Sequence, residues 1–167
     1  HTQRHKTLKE IFITLLLQDF TNFFKHIDSV GTMLGSPGRP DRWHGLGEII
    51  KVGKVYQDID GTPISPYGHT PFEDQSHYIT LDESSPYSCF TTDYFFDHAQ
   101  HSKYAPAYLE MINTCSVFDM ELYAIAKTCK RHGVRLSSYK WVSDDGDFSK
   151  WKENCEISSQ KVIEMLS

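Results

Sequence analysis

Apolar residues recur at helical spacing through Leu8, Ile11, Phe12, Leu15 and Leu16, and Phe20, Phe23 and Phe24 extend the stripe. That spacing predicts a first helix over about 7–24. A short strand, HIDSVGTM, follows from His26 to Met33, and SPGRPDRWHGLGE then reads as loop because of its prolines and glycines. IIKVGKVYQD, from Ile49 to Asp58, is predicted as a strand with a turn at Gly53. Between Asp60 and Ser88 lie Pro63, Pro66, Pro71 and Pro86, so this stretch reads as a long irregular excursion of the functional kind. YSCFTT is a candidate strand, with the acidic aromatic run DYFFD directly after it.

The clearest amphipathic helix is predicted over Phe118 to Arg131, closed by Gly133 and carrying Lys127, Lys130, Arg131 and His132 at its negative end. RLSSYKWVS is the next strand. A last helix over about 148–166 offers Trp151, Cys155, Val162, Ile163 and Leu166 as inward positions. Strand and helix alternate, which predicts an α/β fold: a mixed, twisted sheet with flanking helices, in a single domain over 1–167. In such sheets ligands collect beyond strand ends. Asp93 and Asp144 follow predicted strands and Glu121 opens the helix, so these three acids are candidates for one shared site.

Composition narrows the partners. The 167 residues carry a formal net charge of −5, with no basic stripe, which argues against nucleic acid. The longest apolar run, IFITLLL, is too short to cross a bilayer, so no membrane association is expected. Cys89, Cys115, Cys129 and Cys155 form no C-x-x-C pair and read as free thiols in a reducing cytoplasm. His98 and His101 beside Asp97 are the nearest thing to a metal cluster, and they fall short of four converging ligands; no metal or cofactor is expected.

Two motifs make the chain recognisable. Asp119-Met120-Glu121 at a helix start, followed by Ser143-Asp144 at the end of the next strand, resembles the nucleoside phosphorylase and nucleosidase superfamily. The nearest likeness is to 5′-methylthioadenosine/S-adenosylhomocysteine nucleosidases. GLGEIIKVGKVYQDIDGTP resembles the family's strand and D-x-D-x-T loop, here Asp58-Ile59-Asp60-Gly61-Thr62. Thr91-Thr92-Asp93-Tyr94-Phe95 stands where relatives have a strand and an S-G-D-x-F turn, with Thr92 in place of the glycine. Gly31 to Ser36, GTMLGS, is similar to the family's glycine-rich turn. The family has strands ahead of the first helix predicted here, one bearing a glutamate that positions the attacking water. The chain is therefore expected to be an N-terminally shortened form of the fold.

The resemblance implies hydrolysis of the N-glycosidic bond of a purine nucleoside, releasing adenine. Charge builds up negative on the departing base and positive on the ribose. Asp144 would be the general acid at the base, with Ser143 beside it. Glu121, kept ionised by the helix dipole, would hold the ribose hydroxyls, and Met120 would lie against the sugar. Phe95 or Phe96 would stack on the purine, and Asp93 would line the same turn. The plainer readings are an acidic turn for Ser143-Asp144-Asp145, an ordinary core for Met120 and the Tyr94-Phe95-Phe96 cluster, and turn capping for Asp93. The two carboxylates are expected to open into one concave site. The Pro-rich stretch Thr62 to Phe72 is expected to fold over it or to come from a second subunit, since the D-x-D-x-T loop in relatives lies at a homodimer interface. Two alternatives stay open. A nucleoside phosphorylase would need phosphate ligands, for which only Arg39 and Arg42 offer themselves; a non-catalytic nucleoside-binding or oligomerisation module would need none.

Overall fold

The computed structural model describes residues 47–73, 76–96 and 98–144, with 26–35, 98, 99 and 101 by backbone alone, and the separate positions Ser149, Asn154 and Glu164. The expected helix over 7–24, the loop over 36–46 and most of the closing helix lie outside the described residues; Ser149, Asn154 and Glu164 are helical.

The described strands are β1 (His26–Gly35), β2 (Ile49–Lys51), β3 (Lys54–Gln57), β4 (Tyr78–Thr80), β5 (Ser88–Thr91), β6 (Val117–Asp119) and β7 (Arg135–Asp144). They form one mixed sheet in the order β2-β7-β1-β6-β5-β3-β4. β1 runs parallel to β7 and β5 runs parallel to both β3 and β6, while the β1–β6, β2–β7 and β3–β4 pairs are antiparallel. Two α-helices accompany it, α1 (Pro106–Thr114) and α2 (Leu122–Arg131).

The predicted turn at Gly53 has a larger consequence than a kink. β2 and β3 are separated only by Val52 and Gly53, yet β2 is one edge of the sheet and β3 lies one strand in from the other. Val52 N donates to Ser138 O of β7 at 2.8 Å, and Gly53 N donates to Tyr87 O, next to β5, at 2.8 Å. A chain that crosses between margins in two residues requires those margins to be close, so the sheet curls toward a barrel. Glycine is needed at this corner. A Cβ on Gly53 would sit 2.8 Å from Asp82 O and closer still to Ser85 O.

Strand alternation sorts the core into two layers. On one face Ile50, Val55, Cys89, Val117, Leu136 and Val142 pack against α2 through Leu122, Ala126 and Cys129. On the other, Phe90 and Phe118 pack against α1 through Tyr108 and Ile112. α2 ends as its sequence predicts. Gly133 has φ +67°. Val134 N donates to Cys129 O at 2.9 Å and Gly133 N to Lys130 O at 3.3 Å, the paired bonds of a glycine C-cap.

Three features differ from expectation. Residues 117–119 are not the first turn of α2; they are β6, because their backbone pairs with β1 on one side and β5 on the other. The Asp60–Ser88 excursion contains β4, a strand of three residues paired with β3. Helix α1 was not anticipated, although Pro106 at its first turn and the inward pair Tyr108 and Ile112, four apart, are its sequence signal.

Candidate functional site

The β6–α2 corner is built around Asp119. Its carboxylate is fully buried and accepts from Thr91 Oγ1 at 2.6 Å and from Leu122 N at 3.0 Å. The second bond supplies an acceptor to an N-terminal amide of α2, which Glu121, the residue at the cap position, does not do with its own side chain. Lys140 reaches Asp119 Oδ2 from β7 at 2.6 Å, with the side chain only 2% exposed. Burial by itself disfavours the Lys140 ammonium, but the Asp119 carboxylate, with Glu121 adding, outweighs it, and its pKa is raised. Burial also pushes the Cys89 thiol up, with the charge of Asp119 adding to the effect.

This ion pair joins the two motifs. Asp119 immediately precedes Met120-Glu121, and Lys140 lies on the strand that ends in Ser143-Asp144. Although β6 and β7 run in opposite directions, β6 is three residues long and lies wholly beside the last part of β1, where Gly35 faces Val117 and Leu34 faces Phe118. On the other side of β1, Leu34 faces Asp144. Asp119 and Asp144 therefore both lie beside the last part of β1. Two strand spacings separate them, roughly 10 Å.

A bulge decides which way Asp144 looks. Met33 pairs with Val142 and Leu34 with Asp144, so Ser143 is an extra residue in β7. In an unbroken ladder Asp144 would share the α2 face with Val142. With the bulge, its register matches Phe118, on the α1 face. Asp144 is 1% exposed. Ser143 Oγ donates to its Oδ2 at 2.6 Å, and Asn154 Nδ2 donates to Ser143 O at 2.7 Å, which ties the bulge to the closing helix.

The other expected site residues divide. Glu121 is exposed and Met120 half-buried, with Met120 N donating to Glu121 Oε2 at 3.3 Å. Phe96 is fully buried, stacked on Tyr104 at 5.4 Å, as its core reading required; Phe95 is half-buried. Asp93 is exposed, and the turn amide weighed for it is satisfied otherwise: Tyr94 N donates to Thr92 Oγ1 at 3.1 Å. Thr92, the departure from the family's glycine, donates to Asp58 Oδ2 at 3.2 Å, and Tyr67 OH donates to Asp58 Oδ1. The first turn residue of β5 thus fastens the start of the D-x-D-x-T loop.

The Pro-rich stretch folds back on its own chain. Gln57 Nε2 donates to Gly68 O at 3.2 Å and to Thr70 Oγ1 at 2.8 Å, and Lys127 of α2 reaches Thr70 at 3.1 Å. Glu73 pairs with Lys127 at 2.8 Å and Arg131 at 3.3 Å. Ile64 and Phe72 are left 64% and 85% exposed. A groove of about 370 Å³ lined by Ile79, Leu81, Cys129, Lys130 and Leu136 lies by the start of β7 and touches none of the motif residues. Among the described residues no His, Cys, Asp and Glu group is arranged to hold a metal ion. No described helix is long and apolar enough to cross a membrane.

Sequence reading missed Asp119 and Lys140 as partners. Asp119 was visible as part of the Asp-Met-Glu motif; its link to Lys140 depends on two strands separated by β1, and no spacing in the chain reports that.

No family model and no curated protein matches the chain. Solved structures do. Futalosine hydrolase of Helicobacter pylori superposes with TM-score 0.76 at 17% identity, covering 95% of this chain and 72% of that one. Helicobacter pylori 5′-methylthioadenosine/S-adenosyl homocysteine nucleosidase gives 0.73 at 16% identity, over 90% and 68%. The Campylobacter jejuni enzyme of the same name gives 0.67 at 19% identity, over 94% and 74%. The chain has the nucleosidase fold that the two motifs suggested.

Proposed function

We propose that on this nucleosidase fold the chain hydrolyses the N-glycosidic bond of a purine nucleoside, of the 5′-methylthioadenosine/S-adenosylhomocysteine type, and releases adenine. The observation that carries this reading is that Asp119, which leads into Met120-Glu121, and Ser143-Asp144 lie beside the same last part of β1, with Lys140 of β7 paired to Asp119. The fold shared with two kinds of nucleosidase supports it.

In this reading Asp144 is the general acid. A carboxyl group enclosed by protein and steadied by Ser143 can hand its proton to a ring nitrogen as the C–N bond stretches, so the base leaves neutral. Glu121, in solvent reach at the start of α2, accepts from the ribose hydroxyls and stabilises the positive charge growing on the sugar. The oxygen of a water molecule then bonds the anomeric carbon, and in net a water proton replaces the one Asp144 gave up. Met120 lies along the sugar. Phe95 serves as the stacking platform in preference to Phe96, whose ring is committed to Tyr104.

The exposed Ile64 and Phe72 on the folded-back loop support a homodimer, since large apolar side chains left in water favour self-association. The three buried free thiols fit a reducing, cytoplasmic setting. Adenine release from methylthioadenosine, followed with and without phosphate, tests the reaction. Phosphate-independent release that is abolished in Asp144→Asn supports hydrolysis. Release that requires phosphate makes the protein a phosphorylase, and ligand binding without release makes it a binding module.

A further inference from the structure

Among the described residues two buried side-chain polar atoms have no hydrogen-bond partner, Ser138 Oγ and Trp141 Nε1. They differ in kind and in place. Ser138 has a rotatable hydroxyl and, by alternation with Lys140 and Val142, lies on the α2 face. Trp141 has a rigid ring whose N–H can only donate. It is 3% exposed and belongs to neither of the two core clusters. An unmet buried donor costs about 1–3 kcal/mol, so it calls for an acceptor.

The position of that N–H is informative. Trp141 pairs with Ile49 of β2 and Thr32 of β1, which puts it on the face that the bulge gives to Asp144. Its Nε1 lies 3.8 Å from where a Cβ on Gly47 would be. Gly47 N donates to Val142 O at 2.8 Å, so Gly47 sits beside the Val142–Ser143 peptide. The indole N–H therefore lies beside the segment leading into β2, level with the Val142–Ser143 peptide that precedes Asp144.

From this juxtaposition we propose that Trp141 is a ligand-contacting, specificity-determining residue whose Nε1 donates a hydrogen bond to an acceptor on the purine base held at Asp144. The proposal rests on the nucleosidase reading and adds a contact to it. The base presents ring nitrogens as acceptors, and the sugar's hydroxyls belong to Glu121 at the other end. Trp141 would thus discriminate among bases and leave the sugar unread.

The test is purine binding by the full chain, with adenine and with 1-deazaadenine, 3-deazaadenine and 7-deazaadenine, each of which removes one ring acceptor. Trp141→Phe should weaken adenine by roughly three- to tenfold, the worth of one such bond. It should leave the affinity for one of the three deaza bases unchanged, because that base already lacks the acceptor. As a check independent of folding, emission from Trp141 alone, in a Trp43→Phe/Trp151→Phe background, should change on adding adenine. Adenine binding with unaltered Trp141 emission, or equal losses for all four bases, overturns the proposal and leaves the nucleosidase reading standing. If the wild-type chain binds no purine, both fall together.

Discussion

At the end of β6 the Asp119 carboxylate collects donors from Thr91, Leu122 and Lys140, whereas at the end of β7 the Trp141 N–H, equally enclosed, has no acceptor. A satisfied buried network holds geometry: each bond is strong in a low dielectric, and losing one leaves a charge stranded. An unsatisfied buried donor costs the folded state about 1–3 kcal/mol, and under the proposal above that cost is met by an acceptor on the ligand. In the proposed reading one end of the candidate site is its frame and the other its receiving surface. Substitutions at the first should act on stability, and at the second on ligand and turnover.

The largest effect is expected at the receiving end. Asp144→Asn should lower turnover by about 10²–10⁴-fold, the contribution of a general acid, while the unfolding midpoint stays near that of the wild type. An unchanged rate would remove Asp144 from the mechanism. At the frame, Lys140→Met should destabilise by about 3–5 kcal/mol in denaturant unfolding, since it strands the Asp119 charge, and Lys140→Arg should recover most of that. The same pair sets a pH dependence. Because the folded Lys140 pKa is raised, its stabilisation is complete below the ordinary lysine value and is lost as pH climbs through the raised one. Wild-type stability should therefore fall above about pH 10 more steeply than that of Lys140→Met. Parallel curves would show that the pair is not the source.

Glu121 sharpens the comparison because it belongs to the frame by position and to the ligand by exposure. Glu121→Gln should weaken nucleoside binding about tenfold, the scale of a charged hydrogen bond, and leave free adenine unaffected. Equal losses for both ligands would end the ribose assignment. The smallest effect is expected at the loop's tie to α2. Arg131→Gln should cost about 0.5–1 kcal/mol by the same unfolding measurement, because Arg131 is half exposed and its pair with Glu73 is screened. A loss as large as that at Lys140 would move the loop into the frame.

Much of the fold was legible in the chain because it rests on local rules. The C-terminal cap of α2 followed from Gly133 and the basic last turn, and the mixed α/β class followed from the alternation of elements. The motif residues could be named for the same reason, since Asp119-Met120-Glu121 and Ser143-Asp144 are contiguous in sequence. Local rules also explain the errors. Val117-Phe118-Asp119 carries the apolar spacing of a helix start, and only the backbone of β1 and β5 on either side makes it a strand. Tyr78-Ile79-Thr80 is too short for any period to show, and it becomes a strand because β3 is beside it.

By itself the sequence determined how α2 stops and where Gly53 must let the chain turn, because each depends on side chains or backbone freedom within a few positions. Only the tertiary structure decided that β2 and β3 would close the sheet's margins, that Lys140 would find Asp119 across β1, and that an extra residue at Ser143 would turn Asp144 toward the α1 face. Those outcomes depend on strand register. Register is a relation between segments far apart in the chain, and a slip of one residue reverses the face of every side chain beyond it.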